Sequence, residues 1–438
     1  MKPLGKNRLQ TAFLLTMGAL LLLFVLLLLW GNIGGQTSVF YMEGRDFQAD
    51  TLLTEEYARG LDPYDYGDGA ARTPFPHKNY LPLAYLIFNL MDGLGGRDVS
   101  APMAVILSVA AMALCAAALL LLLWMLMDAR KGKRWLLAAT LLLSAPSLYA
   151  FERGNIVLLS AVLSTLFLYG YDRDSRLTRE VAFLALAASA ALKIYPALFG
   201  LLLLFEKRWK EAARLVLYGL AFALLPFLCI EGGLRNLPLL LSNVQAHVAF
   251  YDIYTYPRYG FRLLGSLLYN THWTVSWLEN NLWRVSEWMY RLCPILDAVL
   301  SVGCVLAAWR CEKKWQKVLA LTLVLINYPL NSGMYTALYL LPAVALLLSD
   351  DSLTTRAFWC LVPLTVILSP VQIALPWEAL HMTDPVLCSL SDILKNLACY
   401  GLFAGFGVWG FLALMQLYLK NVKRRKHSTA STVNGAGI

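Results

Sequence analysis

The chain has 438 residues, of which 59% are hydrophobic and 15% charged, and its formal net charge is +9. A soluble globular protein of this composition would expose large apolar patches, so the composition predicts a polytopic membrane protein. Nucleic acid is not predicted as a partner, because the basic residues stand in short clusters between apolar spans, as the positive-inside rule describes. The eight cysteines show no CxxC spacing. No disulfide framework and no zinc site are therefore predicted.

The first apolar stretch, residues 11–30, is long enough to cross a membrane, and Lys2, Lys6 and Arg8 predict a cytoplasmic N-terminus. Residues 31–79 then form the first extracytoplasmic loop. A short apolar piece at 80–91 precedes a long span at 101–127, which ends in a basic cluster. If residues 80–91 and 101–127 both crossed the membrane fully, that basic cluster would lie outside the cytoplasm. Whether residues 80–91 cross the membrane or only dip into it therefore stays open.

The middle of the chain is predicted to contain an outward helix and a returning helix, followed by two helical hairpins. Residues 135–150 run outward, 151–155 form an outer turn and 156–171 return. The stretch at 181–205 has basic clusters at both ends and carries Lys193 and Pro196 at its middle. Two half-helices that enter and leave on one side explain this pattern. Twelve helical residues rise about 18 Å, so Lys193 is predicted deep in the membrane.

A second stretch, residues 317–348, repeats this design with Tyr335 near its apex. Between the two hairpins, an outward helix at 212–230 leads to a second extracytoplasmic region at 231–291, whose tryptophans suit helices in the membrane interface. Further spans are predicted at residues 292–309, 358–375 and 397–419. Residues 1–427 are thus interpreted as a single all-α transmembrane domain of about 10 to 13 helical segments. Residues 428–438 are predicted to be a disordered cytoplasmic tail.

Asp46 stands in the run Gly-Arg-Asp-Phe-Gln-Ala-Asp at residues 44–50, soon after the first span. A carboxylate at the outer membrane boundary suits the base of an enzyme whose substrate is carried by a lipid. The alternative is an ordinary surface carboxylate in a loop. Asp50 is a weaker candidate for the base, on the same face as Asp46 if this piece is helical.

Several cations stand where apolar composition does not explain them. An ionisable group inside a membrane is costly and usually faces a cavity or a partner, which makes Lys193 a candidate ligand for an anion. The alternative is that Lys193 extends to the nearest interface. Arg258 and Arg262 are spaced to bind an anionic group, or else they contact lipid headgroups.

The outer turns hold further polar residues. Arg153 and Asn155, beside Glu152, form a local salt bridge or line an outer cavity. The carboxylates of residues 60–68 have calcium-like spacing, but Asp-Pro and Gly-Asp pairs favour turns and no terminal Glu follows, so a turn is the preferred interpretation. His77 stands at the outer membrane edge.

Five short motifs follow one another in the first half of the chain. They are an acid and an aromatic residue at 46–47, Gly-x-Asp-Pro-Tyr at 60–64, Tyr-x-Pro-Leu at 80–83, Arg-Gly-Asn at 153–155 and Ala-Leu-Lys-x-Tyr-Pro at 191–196. In this order they resemble glycosyltransferase family 87, in the GT-C superfamily of polyprenyl-phosphate-sugar-dependent membrane glycosyltransferases. The second half of the chain resembles the family only in its general pattern. Met334 and Tyr335 stand where members of the family often have a histidine.

The resemblance implies a GT-C-like fold in the cytoplasmic (inner) membrane with an extracytoplasmic active site. The implied reaction is inverting transfer of a sugar from a polyprenyl-phosphate donor to a glycan or glycolipid acceptor. The sugar is a hexose, mannose first, with another hexose or the pentose arabinose as alternatives. Asp46 is the implied general base. The implied donor-binding residues are Lys193, Arg153, Asn155, Arg258, Arg262 and Tyr335. Possible acceptor or loop contacts are Asp50, His77 and Tyr80.

The expected partners are the lipid-linked donor, the acceptor and membrane lipids, and neither a cofactor nor a metal is implied. Direct displacement of a phosphate group from the anomeric carbon needs one carboxylate as base and positively charged side chains around the phosphate. It does not need the paired carboxylates of a hydrolase. A transporter or flippase for a polyprenyl-linked substrate is the alternative, because it would use the same cations and half-helices without chemistry. An acyl or phosphotransferase ranks last, since no persuasive His-Asp pair is present.

Overall fold

The computed structural model describes residues 5–31, 48, 64, 79–95, 102–250, 276–329, 333–351, 355–373 and 390–434. Every regular element within these ranges is a helix. Five of the helices are long and apolar enough to cross a membrane, or six if one bent pair counts as a single span, and shorter apolar helices stand between them. The structure confirms the predicted all-α polytopic membrane protein.

The first three helices are α1 (Lys6–Gly31), α2 (Pro82–Gly95) and α3 (Pro102–Leu126). With 14 residues, α2 is about 21 Å long, which is shorter than a hydrocarbon core of about 30 Å. Its length therefore fits the partial crossing that was left open for residues 80–91. At the start of α1, the Lys6 ammonium pairs with Asp128 at 2.8 Å and with Asp351 at 2.9 Å.

The chain turns close to the predicted outer turn at 151–155, but residues 151–153 are the last helical residues of α5 and the break lies at Gly154 and Asn155. We keep the name outer turn for residues 151–155. Helices α4 (Lys131–Leu142) and α5 (Ala145–Arg153) meet at a bend of 57°, and α6 (Val157–Gly170) returns. Gly154 ends α5 with φ of 62°, in the left-handed region that a residue without Cβ adopts at little cost. The chain reverses direction there within three residues.

The first helical hairpin consists of α7 (Arg176–Leu192), a 3₁₀ helix (Tyr195–Gly200) and α8 (Leu201–Phe205). Lys193 ends α7 in an extended conformation, so the helix breaks where it was predicted to break. Both flanks lie together, because Arg208 donates to the Tyr171 carbonyl at 2.8 Å and Arg179 pairs with Glu211 at 3.4 Å. The prediction of two half-helices with flanks on one side is confirmed.

The second hairpin consists of α12 (Lys314–Asn327), a 3₁₀ helix (Met334–Tyr339) and α13 (Leu340–Ser349). The indole of Trp315 donates to Asp350 at 2.9 Å, so these two flanks also meet. Lys314 pairs with Asp172 at 2.7 Å and thereby joins them to the first hairpin. We call this end of the bundle the flank end, and the opposite end, which carries Lys193, the apex end.

Three buried hydroxyls connect the hairpins through α6. The Oγ atom of Ser160 lies 2.8 Å from the Oγ of Ser189 on α7 and 2.7 Å from the hydroxyl of Tyr339 in the second hairpin. Ser189 also donates to the Ser160 carbonyl at 2.7 Å. Because buried polar groups are costly unless they are paired, this network favours one arrangement of the two hairpins.

The remaining helices are α9 (Trp209–Leu224), α10 (Leu237–Phe250), α11 (Ser276–Arg310), α14 (Thr355–Leu368) and α15 (Leu390–Asn434). Helices α11 and α15 pack closely through glycines. A Cβ atom at Gly410 would overlap the carbonyl oxygen of Gly303, and one at Gly303 would overlap that of Gly407. Such close approach of two helix backbones is typical of membrane helices that meet at small residues.

Two predictions for this half of the chain are corrected. Residues 276–290 are the first turns of α11, which runs continuously into the span that follows, rather than a separate helix in the interface. Residues 428–434, predicted as part of a disordered tail, continue α15. Neither Gly nor Pro occurs between Gly410 and Gly435, so no residue in that interval breaks the helix.

Candidate active site

Lys193 lies between two tyrosines at the apex end. Its ammonium donates to the hydroxyl of Tyr80 at 3.1 Å and lies 4.3 Å from the centroid of the same ring. The centroid of the Tyr335 ring is 5.9 Å from the ammonium. Aromatic faces attract cations electrostatically within about 6 Å. The Lys193 ammonium therefore points toward Tyr80 and Tyr335 rather than toward the flank end.

Tyr335 is oriented by its neighbours. Its ring stacks on that of Tyr149 from α5, with centroids 5.9 Å apart and planes inclined by 15°. Gly333 leaves the space that this ring occupies, since a Cβ there would lie 2.8 Å from Cε1 of Tyr335. The ring thus joins the second hairpin to the outer turn and faces the Lys193 ammonium of the first hairpin.

Gln48 connects the first loop to the outer turn. Its backbone N–H donates to the Glu152 carbonyl at 2.7 Å, and its side-chain amide donates to the Phe151 carbonyl at 2.6 Å. The hydroxyl of Ser108 donates to the Gln48 amide oxygen at 2.6 Å. Gln48 is fully buried. These three bonds fix the chain two residues after Asp46.

Tyr64 ends the Gly-x-Asp-Pro-Tyr motif and is fully buried. Its hydroxyl donates to the Tyr80 carbonyl at 2.8 Å, and its own carbonyl accepts from Asn243 at 3.2 Å. Its ring stacks on Phe227 and meets Tyr85 edge-on. Tyr64 therefore packs directly behind the tyrosine that contacts Lys193.

Asn155 has a structural contact on the outer turn. Its side-chain oxygen accepts from the backbone N–H of Val157 at 2.9 Å, a bond that stabilises the start of α6, and the residue is buried. Arg153, two residues earlier, is half-buried, and Glu152 beside it is buried. A role in donor binding stays a prediction for both Arg153 and Asn155.

Five predicted site residues lie outside the described residues. They are Asp46, Asp50, His77, Arg258 and Arg262. Most of the candidate calcium turn at residues 60–68 also lies outside them. Within the described part of the chain, no group of three or more His, Cys, Asp or Glu side chains is arranged to hold a metal ion.

Sequence reasoning missed two residues. Gln48 stands between two acids in a polar loop, and its sequence gives no signal that it is buried. Lys395 on α15 is 2% exposed. The last span was predicted to begin at residue 397, which placed Lys395 in a loop. An apolar periodicity that starts at Leu390 would have placed this lysine within the helix.

The profile of glycosyltransferase family 87 matches residues 79–332, more than half of the 438 residues. The chain belongs to glycosyltransferase family 87. No curated protein and no solved structure matches the chain. The matched segment of this glycosyltransferase contains Tyr80, Arg153 and Lys193, whereas Asp46 precedes it and Tyr335 follows it.

Proposed function

We propose that this glycosyltransferase moves a hexose, with mannose as the first candidate, from a polyprenyl-phosphate donor to a hydroxyl of a glycan or glycolipid acceptor. The transfer inverts the anomeric centre and takes place at the extracytoplasmic face of the inner membrane. One observation carries the proposal. The outer turn that binds Gln48, two residues from Asp46, lies at the same end of the bundle as Lys193.

The proposed base is Asp46. Consecutive Cα atoms are 3.8 Å apart, so the Cα of Asp46 lies within about 8 Å of the Cα of Gln48. Gln48 is bonded to the carbonyl groups of Phe151 and Glu152, next to Arg153. Tyr149, one turn earlier, stacks on the Tyr335 ring that faces the Lys193 ammonium. Chain connectivity thus supports a carboxylate and a cation at one end of the bundle.

The reaction needs one proton acceptor and one place for negative charge. The carboxylate of Asp46 takes the proton of the acceptor hydroxyl while that oxygen attacks the anomeric carbon. The bond between the anomeric carbon and the phosphate oxygen breaks, and polyprenyl phosphate departs with the electron pair. Because phosphate is a stable leaving group, no acid has to protonate it.

Lys193 is the proposed principal contact for the departing phosphate. Its ammonium has three N–H donors, of which one bonds Tyr80 at 3.1 Å. Placed against aromatic rings away from the flank end, the charge acts where the dielectric constant is low and its effect on a developing anion is large. Arg153, Arg258 and Arg262 are the further cations proposed for the donor, and Tyr335 lines the sugar or lipid pocket.

The test uses the purified full chain in lipid nanodiscs, supplied with polyprenyl-phosphate mannose and with the glucose and arabinose counterparts. Release of polyprenyl phosphate is measured. Asp46→Asn is expected to lose at least about a hundredfold in rate, while Asp50→Asn stays within about tenfold of the unsubstituted protein. Equal release by Asp46→Asn and the unsubstituted protein would reject the base. Turnover of nucleotide sugars without turnover of any lipid-linked sugar would reject the donor class.

A further inference from the structure

Lys395 is a buried cation that the proposed reaction does not use. Its side chain is 2% exposed, and its ammonium has no hydrogen-bond partner among the residues that the structure describes. Asp392 lies one turn earlier on the same helix and contributes a favourable electrostatic interaction without a hydrogen bond. A buried charge without hydrogen bonds is unfavourable, and membrane proteins retain such groups mainly where they serve a function.

The lysine lies beside the apex of the second hairpin. Cys399, one turn further along α15, contacts the side-chain amide of Asn327 at 3.6 Å, and Asn327 is the last residue of α12. Ser391, one turn before Lys395, accepts from the backbone N–H of Ile373 at 2.8 Å. The ammonium is therefore far from the basic end of α15, since Lys420 stands 25 residues later, about 37 Å along the helix.

Lipid reaches the surface next to this lysine. Leu394 and Leu397, on either side of Lys395 in sequence, are each 46% exposed. In a membrane protein such exposed apolar side chains contact acyl chains. The acyl chains of a lipid-borne ligand can therefore contact the helix surface beside Lys395.

We infer that Lys395 binds the phosphate group of a lipid-borne substrate at a site distinct from the contact between Lys193 and Tyr80. The inference rests on the proposed function for the identity of that substrate. The phosphate belongs either to the polyprenyl carrier or to a phospholipid-type acceptor, and the shared chemistry is a lipid phosphate. Charge-assisted hydrogen bonds from the ammonium to phosphate oxygens would offset the cost of its burial.

The experiment measures the thermal stability of the purified full chain in detergent micelles with four added lipids. These are polyprenyl phosphate, phosphate-free polyprenol, short-chain phosphatidylglycerol and the diacylglycerol that corresponds to it. Lys395→Met is compared with Lys395→Arg, with Lys193→Met and with the matched control Lys420→Met, which replaces an exposed lysine of the same helix. Release of polyprenyl phosphate from the sugar donor is measured for each variant.

Lys395→Met without lipid is expected to melt at or above the temperature of the unsubstituted protein, because a buried charge that makes no hydrogen bond within the described part of the chain is removed. Its affinity for one of the two phosphate lipids is expected to fall at least about tenfold, while Lys395→Arg recovers part of it and Lys420→Met is unchanged. Loss of the response to polyprenyl phosphate assigns the site to the donor. Loss of the response to phosphatidylglycerol assigns it to an acceptor or headgroup.

The inference is overturned if Lys395→Met binds both phosphate lipids as tightly as the unsubstituted protein does. It is also overturned if neither phosphate lipid stabilises the unsubstituted protein more than its phosphate-free counterpart. Failure of the proposed function has a different signature. In that case Lys395→Met loses a phosphate-dependent response, yet the unsubstituted protein releases no polyprenyl phosphate from any sugar donor.

Discussion

The ammonium of Lys193 and the hydroxyl of Tyr80 are 3.1 Å apart, and this contact joins two short motifs that are more than a hundred residues apart in the chain. Tyr80 begins the Tyr-x-Pro-Leu motif two residues before α2, and Lys193 belongs to the Ala-Leu-Lys-x-Tyr-Pro motif at the end of α7. A short helix packed beside a hairpin thus provides both partners. In each motif the polar residue stands two or three residues before a proline at the start of a helix.

Replacing Lys193 by Met keeps much of the side-chain volume and removes the charge. We expect the rate of polyprenyl phosphate release to fall about 10² to 10³-fold, the range seen when a single donor to a developing anion is lost. The melting temperature is expected to change little, because the ammonium makes a single hydrogen bond, to the Tyr80 hydroxyl, among the described residues. Lys210→Met, at an exposed position of α9, serves as the control and should keep full activity. Comparable activity of the two variants would exclude Lys193 from phosphate binding.

Tyr335 is expected to act through its ring rather than through its hydroxyl. Tyr335→Phe keeps the stack on Tyr149 and the aromatic face toward Lys193, so its activity should stay within about threefold of the unsubstituted protein. Tyr335→Ala loses both contacts and is expected to lower affinity for the sugar donor at least about tenfold. The donor KM of the two variants is the measurement. A KM for Tyr335→Phe as poor as that of Tyr335→Ala would assign the role to the hydroxyl.

Gln48→Ala tests whether the chain next to Asp46 must be fixed on the outer turn. The substitution removes two side-chain hydrogen bonds, whereas Ser108→Ala removes only the bond between Ser108 and Gln48. We expect kcat to fall about tenfold or more for Gln48→Ala and less for Ser108→Ala, since small displacements of a catalytic group are costly. Gln48→Glu keeps the acceptor for Ser108 but sets a buried carboxylate oxygen against the Phe151 carbonyl, so it should not recover the loss. Unchanged kcat in Gln48→Ala would separate Asp46 from this turn.

The packing of α11 against α15 is expected to tolerate no Cβ at Gly410. Gly410→Ala forces the Gly303 backbone away and should destabilise the protein by about 1 to 3 kcal/mol. Gly405→Ala is a matched control on the same helix, because no atom lies within 4 Å of a Cβ at that position. Alanine there should be neutral or slightly stabilising. Thermal unfolding in detergent measures both variants, and equal melting temperatures would contradict the close packing.

Asp128 gives the flank end a pH dependence. Its hydrogen bond with Lys6, and then the Lys6 charge, lower the pKa of this carboxyl below its usual range. The unfolded chain therefore binds a proton at Asp128 more tightly than the folded protein does. The contribution of the pair to the stability of the folded protein is present above about pH 4 and is lost as the pH falls through the lowered pKa. Asp128→Asn should melt below the unsubstituted protein at pH 7, by a margin that disappears in acid. The margin should also shrink in high salt, since the pair is exposed.

The hairpins could be predicted because charge and helix-breaking residues mark both their flanks and their turns. Basic clusters on either side of residues 181–205 require that both flanks lie on one side, and Lys193 with Pro196 marks the break. Sequence could not show that Lys193 points toward Tyr80. That orientation depends on how α2 packs on the end of α7, which is a tertiary contact with no local signature.

Buried polar residues were harder to predict than apolar ones. The family resemblance implied that Asn155 binds the donor, and its described bond stabilises the start of α6. Lys395 was missed because the edges of a helix are uncertain by a few residues in any sequence reading. Gln48 has the same residue type as many exposed loop residues, and only its three partners distinguish it.

The paired flanks of each hairpin have a consequence for biosynthesis. Because the flanks of each hairpin meet, we expect that neither hairpin carries the chain to the opposite compartment. Reporter fusions after Arg179 and after Lys207 should then read the same side of the membrane. A count of hydrophobic stretches that treats either hairpin as one crossing inverts the orientation of every later segment. The two helical pieces of each hairpin are therefore expected to enter the lipid together, since each alone is shorter than a membrane span.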